Sequence, residues 1–245
     1  MAFAAVFSIV ALVHEFGHFI IARKAGVKVY EFSIGFPFSP KVLTLFRNKE
    51  TEFTLRLLPL GGFVSFSKEE DGGADDLFKA SYLNRVLIMS AGPLSNIVFA
   101  FLVLVPVFIL GRQLLITEAV LASAKTVWLI LSGTVVVIFN FFSGNGSWEG
   151  LAGPVGIAVV AGQAASKGLW GLIYFTAILS MSLGVMNLVP LPALDGGHIF
   201  MLLIEAVRKK PLSLKTYQAV NLIGLSLFLI LTVLVTYKDI IKLIA

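Results

Sequence analysis

The chain has 245 residues, of which 58% are hydrophobic and 13% charged, with a mean hydropathy of +0.93. Soluble domains carry about one-quarter charged residues, so this composition excludes an ordinary soluble fold and points to a polytopic membrane protein with one domain over 1–245. The net charge of +5 fits basic loops on the cytoplasmic side rather than a nucleic-acid partner. The absence of cysteine excludes disulfides, a Cys nucleophile and a thiolate metal site.

Residues 2–22 read as the first membrane span, closed by Arg23 and Lys24 and broken at Gly26. A signal peptide would carry a basic leader, which is missing here, and the apolar run continues through His14 to Ala22, so the segment reads as retained. Its second half holds His14-Glu15-Phe16-Gly17-His18. Histidines at i and i+4 share one helix face, which is the H-E-x-x-H arrangement of two zinc ligands with Glu15 as the adjacent general base. The alternative is a histidine pair hydrogen-bonded within a helix bundle. Ionisable groups at bilayer depth favour the functional reading.

Residues 27–84 change character. Thr51–Leu57 alternates, with Phe53, Leu55 and Leu57 on one face and Glu52, Thr54 and Arg56 on the other, which predicts a strand. Val27–Gly35 and Phe63–Phe66 read as further strands, separated by turns at Gly35, Pro37, Pro40, Gly61 and Gly62. The expectation is a small β-meander over 27–84 on the cytoplasmic side, leaning on the bilayer surface or the bundle. The charged stretch 68–76 reads as a solvated loop.

Val86–Leu110 is the second span and contains Ala91-Gly92-Pro93-Leu94-Ser95-Asn96. Glycine and proline inside a span mark close helix packing or a site. Asn96 is either an oxyanion donor or an inter-helix hydrogen bond. Thr117–Phe142 is apolar with Lys125 as its single charge, residues 143–153 form a glycine-rich loop, and Pro154–Gly162 is apolar but short. Leu169–Val189 is the next span. It runs into Asn187-Leu188-Val189-Pro190-Leu191-Pro192-Ala193-Leu194-Asp195-Gly196-Gly197-His198, where two prolines one residue apart stop the helix. Ile199–Val207 is a further helix and Tyr217–Tyr237 the last span.

Ten Lys and Arg residues lie between Arg23 and Arg85 and four between Arg208 and Lys215, against three between Gly111 and Gly168. The first two groups are therefore expected in the cytoplasm and the segment 111–168 outside. Parity then predicts about four transmembrane helices, with Thr117–Phe142 interfacial or re-entrant.

A catalytic zinc takes three protein ligands and keeps a fourth position for water. The pattern beyond His18 gives no third histidine, because Ile21 and Lys24 stand at the extended-motif positions. Glu31, Glu50 and Glu52 could reach only by folding back. Asp195, at the inner end of a span parallel to the first, is the better third ligand, unless it caps the helix that follows. His198 is a weaker candidate. With Glu15 taking a proton from water beside the metal and returning it to the leaving amine, the chemistry is peptide hydrolysis. An exposed edge strand could hold an extended peptide, and the Asn187 amide could clamp substrate backbone; the sheet could equally be a structural plug. A metal-handling or transport protein using the same ligands is the alternative, although no paired broken helices support it.

These blocks, together with Gly153-Pro154-Val155-Gly156-Ile157, occur in an order that resembles the site-2 protease family of intramembrane zinc metalloproteases, over nearly the whole chain. The resemblance implies zinc at His14, His18 and Asp195, catalysis by Glu15, and a membrane-associated β-sheet that engages substrate. The implied substrate is a single-span membrane protein such as an anti-sigma factor, and the implied location the bacterial inner membrane with the site towards the cytoplasm. Two departures stand out. Gly111–Glu118 leaves no room for the PDZ domain that close relatives carry there, and Ser182 stands where some relatives have a second asparagine.

Overall fold

The computed structural model describes residues 2–36, 39–58, 61–67, 76–145 and 152–244. The expected solvated loop, apart from Asp76, and most of the glycine-rich loop lie outside the described residues.

The first helix, α1 (Ala2–Lys24), is followed by a four-stranded sheet of β1 (Glu31–Ile34), β2 (Lys41–Asn48), β3 (Thr51–Arg56) and β4 (Gly62–Ser65). A short helix α2 (Asp76–Lys79) precedes α3 (Tyr82–Pro106), which continues through a π-helical turn to Gly111. Then come α4 (Ile116–Phe142), α5 (Pro154–Ser166), α6 (Leu169–Leu188), α7 (Asp195–Arg208) and α8 (Leu214–Ile244). Among the described residues, five helices (α1, α3, α4, α6 and α8) are long and apolar enough to cross a membrane.

Helix α3 is the centre of the bundle and packs against α1, α4, α6 and α7. It can be approached this closely because the facing positions are small. A Cβ on Gly17 would lie 2.4 Å from the Ala91 carbonyl oxygen, and one on Gly184 would lie 2.7 Å from that of Pro93. The contacts also set directions. His18 meets Ile88 while His14 meets Asn96, so α1 and α3 are antiparallel. Gly184 meets Pro93 while Gly111 meets Trp170, so α6 also opposes α3 and runs parallel to α1. The basic ends converge at one end of the bundle: the Asn84 amide reaches the Ala25 carbonyl, and Arg85 binds Glu205 and Tyr217.

The sheet is small, as expected, but it is not a meander. Its order is β2-β3-β1-β4, with β1 parallel to β3 and antiparallel to β4. Strand β2 was not foreseen. Its run of Val42, Leu43, Thr44, Leu45 and Phe46 has no apolar–polar alternation, and all eight residues of the strand are exposed, so no buried face imposes a period of two. The sheet docks on α1 through Phe19, whose ring centroid lies 5.4 Å from Phe32 and 5.6 Å from Phe53. The expected polar face of β3 is satisfied inside the sheet: Arg56 pairs with Glu31 at 3.0 Å, and Thr54 Oγ1 donates to Ser33 Oγ at 2.9 Å.

By length and composition α4 is a spanning candidate beside the four expected crossings, since it is one unbroken helix of 27 residues. At 1.5 Å per residue that is about 40 Å, more than the hydrocarbon thickness. It packs on α3 and α6, burying Ala119 and Ser123. The re-entrant pairing with Pro154–Gly162 does not form as expected: α5 packs chiefly on α1, α6 and α8.

Candidate metal centre

Two elements bring three side chains together. His14 and His18 project from the buried face of α1 towards α3. Asp195 is the first residue of α7, delivered by the break after α6. That break is tightly made. Ala193 takes φ +69°, a left-handed conformation that strains a residue with a Cβ. Gly224 on α8 makes room for the loop, since a Cβ there would lie 2.3 Å from Pro192 Cβ. Leu194 forms the helix boundary without a side-chain cap bond, and the Asp195 carboxylate is directed at the histidines rather than capping its own helix.

The ligand-type atoms form a tight triangle. His14 Nε2 lies 2.9 Å and His18 Nε2 3.4 Å from Asp195 Oδ2, and the two Nε2 atoms are 3.2 Å apart. A tetrahedral zinc with bonds of about 2.0–2.1 Å has ligand–ligand edges of about 3.3 Å, so the triangle has the right size. Asp195 Oδ2 is buried with no donor other than the two Nε2 atoms beside it; once those nitrogens turn lone pairs to the cluster, the buried carboxylate oxygen needs a counter-charge. Gly92 forms the wall: a Cβ there would lie 2.3 Å from His18 Nε2 and 2.8 Å from His14 Nε2. The residues present therefore fit a zinc ion. Among the described residues, this is the one group of three or more His, Cys, Asp or Glu side chains placed to hold a metal.

Each histidine is oriented by α3. His18 Nδ1 lies 2.7 Å from the Ile88 carbonyl oxygen and donates to it, which leaves Nε2 free to face the cluster. Asn96, fully buried, places its amide 3.3 Å from His14 Nδ1. Glu15 turns to the sheet: a Cβ on Gly62 of β4 would lie 3.5 Å from its Cγ, and its carboxylate is in reach of the Val64 N–H.

The other expected residues lie elsewhere. The Asn187 amide donates to the Leu183 carbonyl of its own helix at 3.0 Å. His198 stacks on Tyr217 and contacts Asn221. Glu31 and Glu52 are engaged with Arg56 and with Lys41, and Glu50 with Lys28. Sequence reasoning missed the Ile88 carbonyl, which a backbone group cannot announce. It also gave Gly92 no role at the metal, although a glycine next to a proline inside a span was the available signal.

Comparison with known proteins decides the family. The model of peptidase family M50 matches residues 2–231. The chain belongs to peptidase family M50. This is the site-2 protease family, whose members are zinc-dependent metalloendopeptidases, and the transport reading is set aside. A Clostridium perfringens protein provisionally named a zinc metalloprotease is 31% identical, over 96% of this chain and 96% of its own length. Proteins named zinc metalloprotease RasP are 25% identical in Shouchella clausii, over 99% of both chains, and 24% identical in Geobacillus kaustophilus, over 99% of this chain and 97% of the relative. The first of these M50 alignments runs over 325 positions and the second over 415, against 245 residues here. These relatives therefore carry stretches with no counterpart in this chain. Between the π-helical turn and α4 only residues 112–115 intervene, which leaves no space for a PDZ domain.

Proposed function

We propose that this chain cleaves the transmembrane segment of single-span membrane proteins, as in regulated intramembrane proteolysis of anti-sigma factors. The observation that carries the proposal is the His14–His18–Asp195 triangle, two of whose members lie on α1, a helix long and apolar enough to span a bilayer, and the third at the start of α7. His14 Nε2, His18 Nε2 and Asp195 Oδ2 would hold the zinc. Bound there, zinc supplies Lewis acidity, acidifying a water and polarising the scissile carbonyl. Glu15 accepts the proton of the attacking water and passes it to the leaving amine.

A helical substrate hides its carbonyls in hydrogen bonds, so it must be unwound before attack. Strand β4 is suited to receive it. A Cβ on Gly61 would lie 3.8 Å from Ala11 and from Phe7 of α1, and Phe7 lies 17 residues before Lys24, roughly 25 Å along the helix. The strand thus runs beside α1 at membrane depth, next to Glu15. The Gly35 N–H donates to the Gly61 carbonyl, so alternate residues on from Gly61 bond to β1, while Gly62 and Val64 turn their backbone groups to the free edge. A substrate paired at that edge lies beside Glu15. Asn187 and Asn96 are retained as lesser candidates for holding substrate backbone or an oxyanion.

The convergence of Arg23, Lys24, Arg85 and Arg208–Lys210 at one end of the bundle supports a cytoplasmic placing of that end. His18 is six residues from Lys24, about 9 Å along α1, so the site would open towards the cytoplasm, in the bacterial inner membrane.

A reconstituted assay with purified enzyme and single-span substrates tests the proposal. Wild type should cut within the transmembrane segment, and Glu15→Gln should lose at least ~100-fold in rate while keeping its zinc. Cleavage by Glu15→Gln at the wild-type rate, or cutting confined to regions outside the membrane, would overturn it.

A further inference from the structure

Asn96 is held from two sides on α3. Its backbone carbonyl accepts the Ser180 hydroxyl at 3.0 Å, and a Cβ added to Gly184 would sit 3.2 Å from its Cβ. Its amide nitrogen lies 3.3 Å from His14 Nδ1, while its amide oxygen is buried with no hydrogen-bond partner. An imidazole whose Nε2 lone pair faces a metal carries its proton on Nδ1, and Nδ1 can then only donate. An amide N–H facing it is a donor against a donor. Exchanging the oxygen and nitrogen of an amide preserves its shape. At Asn96 that exchange removes the conflict and gives the orphaned oxygen a partner. His18 already shows the same arrangement, its Nδ1 donating to the Ile88 carbonyl. With that exchange, helix α3 supplies an acceptor behind each imidazole, at positions 88 and 96.

We propose that Asn96 is a positioning residue for His14. Its amide oxygen accepts the Nδ1–H and holds the tautomer and ring orientation that present Nε2 beside His18 Nε2 and Asp195 Oδ2. This rests on the reading of His14 as a zinc ligand.

The test is zinc affinity of the full chain in detergent, measured by competition with a chromogenic chelator. Asn96→Leu keeps the size and removes both donor and acceptor; Asn96→Asp keeps the acceptor and removes the donor. Asn96→Leu should bind zinc roughly 10- to 100-fold more weakly, and Asn96→Asp within about threefold of wild type. A second readout is nitrogen NMR of protein labelled at histidine, of which there are three. His14 Nδ1 should carry the proton in wild type and in Asn96→Asp. Equal zinc affinity in wild type and Asn96→Leu, a loss in Asn96→Asp as large as in Asn96→Leu, or an unprotonated Nδ1 on His14 would overturn the inference. If Asn96→Leu does not fold, Asn96→Asp and the wild-type spectrum still decide. Retention of zinc by His14→Ala would sink the ligand reading itself, a result separable from any of these.

Discussion

Gly92 is where a single atom decides whether the cluster forms. The side chains of His14 and His18 lie against its Cα, and an added methyl would enter the space between the two Nε2 atoms. Gly92→Ala should therefore lose zinc affinity at least ~10-fold, as measured by chelator competition. Gly133→Ala in α4, where a Cβ meets nothing within 4 Å, should leave it unchanged. At this scale the sequence was legible where chemistry names the residue. A histidine pair with a glutamate inside an apolar run is costly to keep at bilayer depth unless it does chemistry there, and Asp195 followed from a zinc site short of a ligand. The orienting groups were harder to read. Asn96 was recognisable as a buried polar residue, but that its amide faces His14 depends on the packing of α3 against Ser180 and Gly184, which are far away in sequence.

At the scale of elements, the placing of Asp195 depends on α7, and α7 is anchored at its far end. Glu205 accepts from Arg85 of α3 at 2.8 Å and from the Leu212 backbone N–H at 2.9 Å. Arg85 also donates to the Tyr217 hydroxyl of α8 at 2.8 Å. Both charged groups are buried. Removing one partner leaves an uncompensated buried charge, which costs about 3–5 kcal/mol. Glu205→Ala should lower the thermal unfolding midpoint in detergent by several degrees, and Glu205→Ala paired with Arg85→Met should recover part of the loss. A midpoint unchanged by Glu205→Ala would show that the pair does not anchor α7. The N-terminus of α5 is tied to α8 in a similar way, by Gly153 and Gly156 N–H groups that both donate to Asp239 Oδ2 at 2.8 Å. Among elements, legibility followed periodicity and length. The spans were readable because twenty apolar residues leave little choice, and β3 because it alternates. Strand β2 was not, since it is exposed on both faces. The sheet order was not either, because the parallel pairing of β1 with β3 is set by where the chain crosses over, which local pattern does not record.

At the scale of the whole molecule, one relation positions the candidate site: α1 and α6 run parallel, both packed on α3 and in contact with each other, so the break after α6 emerges at the depth of the second half of α1. Charge counting had already made those two spans parallel, and the structure gives the packing reason in Gly17 and Gly184 against the α3 backbone. For α4 the loop charges say little about its placement, because the helix itself carries a single lysine. The most direct measurement is zinc stoichiometry of the purified chain, wild type against Asp195→Ala. Two segments 177 residues or more apart in sequence should together hold one zinc per wild-type chain, with Asp195→Ala losing it under the same chelator challenge. Full occupancy in Asp195→Ala would mean that the start of α7 does not complete the site.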